Sequence, residues 1–197
     1  MVKASQTKKN GKKSKPSGAT EIKAALIAAA DQLIGKKGPA AVSVRDIAAA
    51  AGLMPTLVHR YFGSKDELIR EVLRMHIATF REAAGEASEP RRVVDSMFDV
   101  MANNPAFLRV IAYILLEGQH PEEYLSKKGM VALLVEALSP THGKDAQLEA
   151  AILVSQMAGF LLLEPFLLFA SDYKGTLEVA RAAALKRVTD ALPPGRS

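Results

Sequence analysis

Within the stretch AGLMPTLVHRYFGSKDEL, residues 51–68, five consecutive positions from Thr56 to Arg60 bring together a hydroxyl, a branched alkyl group, an imidazole and a guanidinium. An arginine can donate two hydrogen bonds to one guanine edge, and Thr and Leu can meet the methyl group of a thymine. On a wheel advancing about 100° per residue, Val58, Phe62, Met54 and Tyr61 gather on one side and Thr56 and Arg60 on the other. Leu57 and His59 fall on the shoulders. One side is predicted to pack inward and the other to meet a nucleic acid.

Two other groupings have chemical potential. Glu117-x-x-His120 has the spacing that di-iron carboxylate bundles use twice, but it occurs once, with Gly118 and Pro121 placing it at a helix end. A metal-dependent helical-bundle enzyme is therefore the rival class, with a nonspecific DNA-coating protein as a third. The sequence has no G-x-S-x-G elbow, no P-loop and no H-E-x-x-H, so neither catalysis nor a cofactor or metal is expected. The second grouping is Glu164 inside the apolar run AAILVSQMAGFLLLEPFLLFA, where a carboxylate is costly unless paired. It either serves a pocket or pairs internally, for example with Arg109, or meets solvent at Pro165.

The elements that must position these groups are helices. Thr20 can cap a first helix with Ile22, Leu26, Ala29, Ala30 and Leu33 at helical spacing and Gly38 as its stop. Ser43 can cap a second, with Asp46 at its third position and Val42 poised to staple onto Ile47. Val44, Ile47, Ala48 and Ala51 form its inner face, and Gly52 supplies the turn into the short helix described above. Ser64-Lys-Asp-Glu67 reads as a capping box opening a longer helix to about Ala84. Proline in a first turn marks further starts at Pro90, Pro105 and Pro121, predicting helices near 90–103, 105–117 and 121–138. After the loop SPTHGKD, helices near 145–171 and 175–192 complete an all-α chain of about nine helices.

A short helix, a glycine turn and a second short helix with an exposed polar face make a helix-turn-helix, which lays its second helix in the major groove of DNA. The predicted DNA contacts are Ser43, Arg45, Pro55, Thr56, Leu57, His59, Arg60, Tyr61 and Lys65, with Ser43 and Lys65 placed near helix N-termini for phosphates. The segment SVRDIAAAAGLMPTLVHRYFGSKDELI, Ser43 to Ile69, resembles the DNA-binding region of the TetR family of transcriptional regulators. The shared pattern is an Ile-Ala-x-x-Ala-Gly helix, a recognition helix ending in an aromatic residue and Phe, and Gly-Ser-Lys-x-x-Leu leading into the next helix. Two positions depart from it: Met54 stands where a capping Ser is frequent, and His59 where a Tyr is frequent. The resemblance implies a homodimer on a roughly palindromic operator, and a C-terminal domain whose ligand lowers DNA affinity.

The C-terminal half supplies candidates for both roles. Ala151, Ser155, Ala158, Gly159 and Leu162 share one face of the apolar run, and with Leu177, Ala184, Leu185 and Val188 they are assigned to a dimeric four-helix bundle. The opposite face carries Leu153, Met157, Phe160, Leu161 and Glu164. Of these, Met157, Phe160, Leu161 and Glu164, with Met97, Met101, Phe107, Ile111, Tyr113, Ile114, Met130 and Leu134, are the candidate lining for a small, mostly apolar effector, although Met and aromatic residues at helical spacing are also the usual filling of a bundle.

Composition bounds these readings. The 197 residues are 49% hydrophobic, with no Cys and no Trp, which favours packed helices and gives no sign of an oxidising compartment. The net charge of +5 lies in the first 20 residues, which hold Lys3, Lys8, Lys9, Lys12, Lys13 and Lys15 and no acid. This segment lacks the apolar side chains to offset the entropy of ordering and is predicted to be a disordered arm. Its lysines suit nonspecific attraction to phosphate or simple solvation. The expected organisation is an arm over 1–20, a DNA-binding domain over 21–70 and a ligand-binding and dimerisation domain over 71–197. The residues before Thr20 contain no apolar run, so no signal peptide is expected, and the longest uncharged stretch, Ala150 to Leu163, is shorter than the roughly 20 residues that span a bilayer. A cytoplasmic protein is expected, with no membrane partner.

Overall fold

The computed structural model describes residues 16–84, 89–124 and 129–192. The six lysines of the predicted arm, residues 85–88 and 125–128 and the C-terminal PPGRS lie outside the described residues, and with them most of the arm prediction. Among the described residues are nine α-helices and two 3-10 turns: α1 (Ala19–Lys37), α2 (Val44–Ala50), α3 (Thr56–Phe62), α4 (Lys65–Ala84), α5 (Pro90–Asn103), α6 (Pro105–Leu116), α7 (Met130–His142), α8 (Ala146–Ala170) and α9 (Leu177–Asp190). The 3-10 turns are Pro121–Glu123 and Gly143–Asp145.

Local signals set most of these boundaries. Gly38 closes α1, its N–H donating to the Ile34 carbonyl. Its start is displaced from expectation: Gly18, not Thr20, occupies the cap position, and Glu21 instead accepts from the Ser17 N–H at 3.1 Å. The α2 box forms in full, because Ser43 Oγ accepts from the Asp46 N–H while Asp46 Oδ2 accepts from the Ser43 N–H at 2.9 Å. Only half of the expected box opens α4: Ser64 Oγ accepts from the Glu67 N–H, but the Glu67 carboxylate turns to Arg70. Pro90 and Pro105 sit in the first turns of α5 and α6 as predicted.

The expected helix over 121–138 divides. Pro121 opens only a 3-10 turn, and α7 starts beyond Gly129 and runs through Pro140 to His142, so part of the expected SPTHGKD loop is helical. Pro140 and Glu136, whose carbonyl loses a partner to the proline, are both exposed, and water can take the bond. α8 likewise continues through Pro165 to Ala170.

One core cluster runs through the whole chain. α1 packs on α2, α4 and α6, α4 on α3 and α5, α5 on α7 and α9, and α8 on α7 and α9. Gly35 brings α1 close to α6: a methyl group there would stand 3.5 Å from Pro105 Cγ and 3.6 Å from the Ala106 nitrogen. The helix-turn-helix is thus seated on the remainder through α1 and α4. The helical run Met130–Ala170, interrupted by one 3-10 turn, contains a stretch long and apolar enough by composition to cross a membrane, and little of that stretch is buried inside the chain.

Candidate nucleic-acid interface

The reading helix is held from below. Val58, at 0% exposure, enters the core with Ile47 and Ala48 of α2, while Val44 and Ala51 pack against its edge. Gly52 makes the turn at φ +67°, a conformation unfavourable for a side chain with a Cβ, and the Leu53 N–H returns to the Ala48 carbonyl. Gly63, at φ +79°, stops α3. These contacts leave Thr56, His59 and Arg60 exposed, the face the sequence predicts. Leu57 and Tyr61 are half-buried against the core, so each offers part of its side chain outward. The Arg60 guanidinium lies 5.7 Å from the Tyr61 ring centroid, a contact that steadies it from one side.

Around this face, Ser43, Arg45 and Pro55 are exposed. The Ser43 hydroxyl is engaged, donating to Asp46 Oδ2 at 2.6 Å. These bonds hold the Asp46 carboxyl below its ordinary value, chiefly through the Ser43 hydroxyl and next through its N–H. His59 Nδ1 lies 3.2 Å from the Gly63 carbonyl oxygen at the end of α3. Lys65, predicted as a phosphate contact, donates to the Pro39 carbonyl at 2.7 Å and is part-buried, tying α4 to the α1–α2 connection. Met54 departs from the wheel: it is 67% exposed, because it precedes α3, where steps of 100° do not apply. No side-chain cap replaces the missing Ser among the described residues.

The effector candidates are packed as core. Met97, Met101, Phe107, Ile114, Met130, Leu134, Met157 and Leu161 are buried in one cluster, with Ile111 and Phe160 packed on its edge and Tyr113 half-buried. Burial pushes the Tyr113 phenol above its ordinary value. Glu164 is 7% exposed and held by two nitrogens of Arg181 on α9, one at 2.9 Å, while Arg181 also reaches the Ala102 carbonyl of α5. Donation to the Glu164 carboxylate raises the Arg181 pKa above its ordinary value. Internal pairing therefore occupies Glu164, and its partner is Arg181; Arg109 points to solvent. A cleft of about 410 Å³ opens elsewhere, lined by Arg74, Ile77, Ala78, Arg81, Glu122, Glu123 and Tyr124. None of the predicted effector residues lines it.

On α8 and α9, Ala151, Ser155, Leu162 and Leu177 are exposed, and Ala158, Gly159, Ala184 and Leu185 are partly so. Val188 is a correction: it is buried in the chain's own core, facing inward beside Ala180. The wheel missed larger members of the outer face, including Ile152, Leu163, Phe166 and Phe169, the last 84% exposed. Glu117 and His120 do not share a helix face. Gly118, at φ +66°, separates them, and His120 Nδ1 stands 3.3 Å from Glu122.

A short helix seated on its neighbour by apolar side chains, with Thr56 and Arg60 turned outward, defines a helix-turn-helix protein of the DNA-binding kind. Comparison with known proteins agrees. The profile of "Bacterial regulatory proteins, tetR family" matches residues 26–72. The HTH-type transcriptional repressor Rv3405c of Mycobacterium tuberculosis is 33% identical over 154 residues, covering 77% of this chain and 78% of that protein. The HTH-type transcriptional regulator BetI of Rhizobium meliloti is 37% identical over 107 residues, 50% of this chain and 53% of that protein. Among solved structures, the putative transcriptional regulator SCO4942 from Streptomyces coelicolor aligns with a TM-score of 0.66 at 21% identity, covering 87% of this chain and 98% of that one. The chain belongs to the TetR family, and it is a transcriptional regulator, not an enzyme.

Proposed function

We propose that the chain is a repressor that binds a roughly palindromic operator as a homodimer and is released by a small, mostly apolar effector. The carrying observation is the division of α3: Val58 wholly inside, Thr56 and Arg60 outside. Arg60 and Thr56 would meet base edges, and Ser43, Arg45, His59, Tyr61 and Lys65 would serve the backbone around them. Pairing through the exposed apolar surface of α8 and α9 would cover Ile152, Leu162 and Phe166 and repeat the reading helix by two-fold symmetry. The division into a DNA-binding region over 21–70 and an effector and pairing region over 71–197 fits α4, which spans both. The effector would enter among Met97, Met101, Phe107, Ile114, Met130, Leu134 and Met157, where adaptable methionines can repack around it. Such a protein acts in the cytoplasm, beside its DNA.

Selection of bound duplexes from a random pool tests this. The expected product is a pseudo-palindrome with half-sites separated by about one helical turn, ~34–36 Å, or more. Uniform retention of the pool, abolished when residues 1–15 are removed, would instead make the lysines the binding agent and the protein a nonspecific coat.

A further inference from the structure

We propose that Met54 is a specificity-determining residue, an apolar contact for the 5-methyl group of a thymine in each operator half-site. The inference rests on the operator-binding role of α3 and extends it to a residue that the helical wheel places inside. Leu53 and Val58 on either side turn toward the core, whereas Met54 remains 67% exposed. Its backbone is nevertheless anchored just ahead of α3, because the Met54 carbonyl accepts the Leu57 N–H at 3.0 Å. Pro55 and Thr56, which follow it, are exposed as well. The leading edge of the reading helix is thus a thioether, a pyrrolidine ring without an N–H, and the methyl and hydroxyl of a threonine.

That edge is poor in donors and rich in carbon. Of the four bases, thymine presents a methyl group in the major groove, and an apolar side chain is what detects it. An unbranched, polarizable methionine can follow such a group without a fixed rotamer. Arg60, one helical turn beyond Thr56, carries donors suited to guanine, so the leading edge and the middle of the reading segment distinguish different bases.

The experiment replaces each thymine of the selected duplex by deoxyuridine, which removes the methyl and nothing else, and measures affinity for the full-length protein. One thymine per half-site is expected to be sensitive, with about fourfold weaker binding on loss of its methyl. Met54→Ala and Met54→Ser are expected to bind the thymine and uracil duplexes equally at that position, with Met54→Ser unfolding at a temperature no lower than the parent. The serine variant carries a capping hydroxyl and guards against a simple loss of helix stability. A duplex without any uracil-sensitive thymine, or Met54→Ala that keeps the parental discrimination, overturns the assignment of Met54. A pool that returns no preferred duplex overturns the operator reading itself.

Discussion

His76 on α4 hydrogen-bonds Asp31 on α1, with Nε2 2.8 Å from Oδ1, and its ring meets Phe107 of α6 edge-on at 6.0 Å between centroids. Three helices converge on this imidazole, which is 2% exposed. The bond joins the helix that carries the DNA-binding region to the helix that supports it.

Asp31→Ala should leave the buried imidazole nitrogen without its acceptor and cost about 1–3 kcal/mol. Asp31→Asn, which retains an oxygen, should cost less. Urea denaturation of the two variants measures the difference, and equal midpoints for Asp31→Ala and the parent would contradict it.

A second prediction concerns acid. The Asp46 carboxyl is held below its ordinary value of 3.8 by bonds that exist only in the folded α2 cap. Its contribution to stability is therefore present above pH 3.8 and lost as pH falls through the lower folded value. Ser43→Ala, which removes the principal bond, should make α2 less stable at neutral pH and flatten this acid dependence. Circular dichroism followed between pH 2 and 6 on parent and variant checks both parts.

Arg60→Ala should relax preference at one base position of each half-site, with a penalty of about 1–3 kcal/mol for the cognate base. Removal of residues 1–15, with their six lysines, should weaken all duplexes alike and reduce the dependence of affinity on salt. Competition binding at two salt concentrations separates the two effects.

Arg181→Ala should destabilise the chain by about 3–5 kcal/mol, because Glu164 would keep a buried carboxylate without its guanidinium. Replacing both by apolar residues of similar volume, Glu164→Leu with Arg181→Met, should recover most of that loss. Thermal unfolding of the single and double variants distinguishes a structural pair from an effector-binding carboxylate, which would instead show unchanged stability.

The features legible in the sequence are those written within a few residues. The Ser43–Asp46 box, the stop at Gly38 and the proline starts at Pro90 and Pro105 need only local chain geometry, and the structure has them where expected. The buried stripe of α8 was likewise legible, because Leu153, Met157 and Leu161 repeat at helical spacing. What escaped was non-local or lay at an element's edge. Arg181 reaches Glu164 from the next helix, 17 positions away, and no wheel relates the two. Val188 looked available to a second subunit because a wheel divides faces without saying which neighbour covers them. A wheel places Met54 inside by extending helical steps two residues before the helix begins. The contact role of the outward residues of α3 is an inference from exposure and residue type.

The continuity of α4 has a mechanical consequence. It touches the reading helix near Lys65 and the deeper helices α5 and α6 along its length, with no break across its 20 residues. A rod of that size is about 30 Å long, so a pivot of about 5° at one end sweeps the other by roughly 2.6 Å. Successive base pairs are about 3.4 Å apart along DNA. If the chain is the effector-released dimeric repressor proposed above, a lever of these proportions would turn a small rearrangement among buried methionines into most of a base-pair step at Thr56 and Arg60, enough to misalign two copies on one duplex.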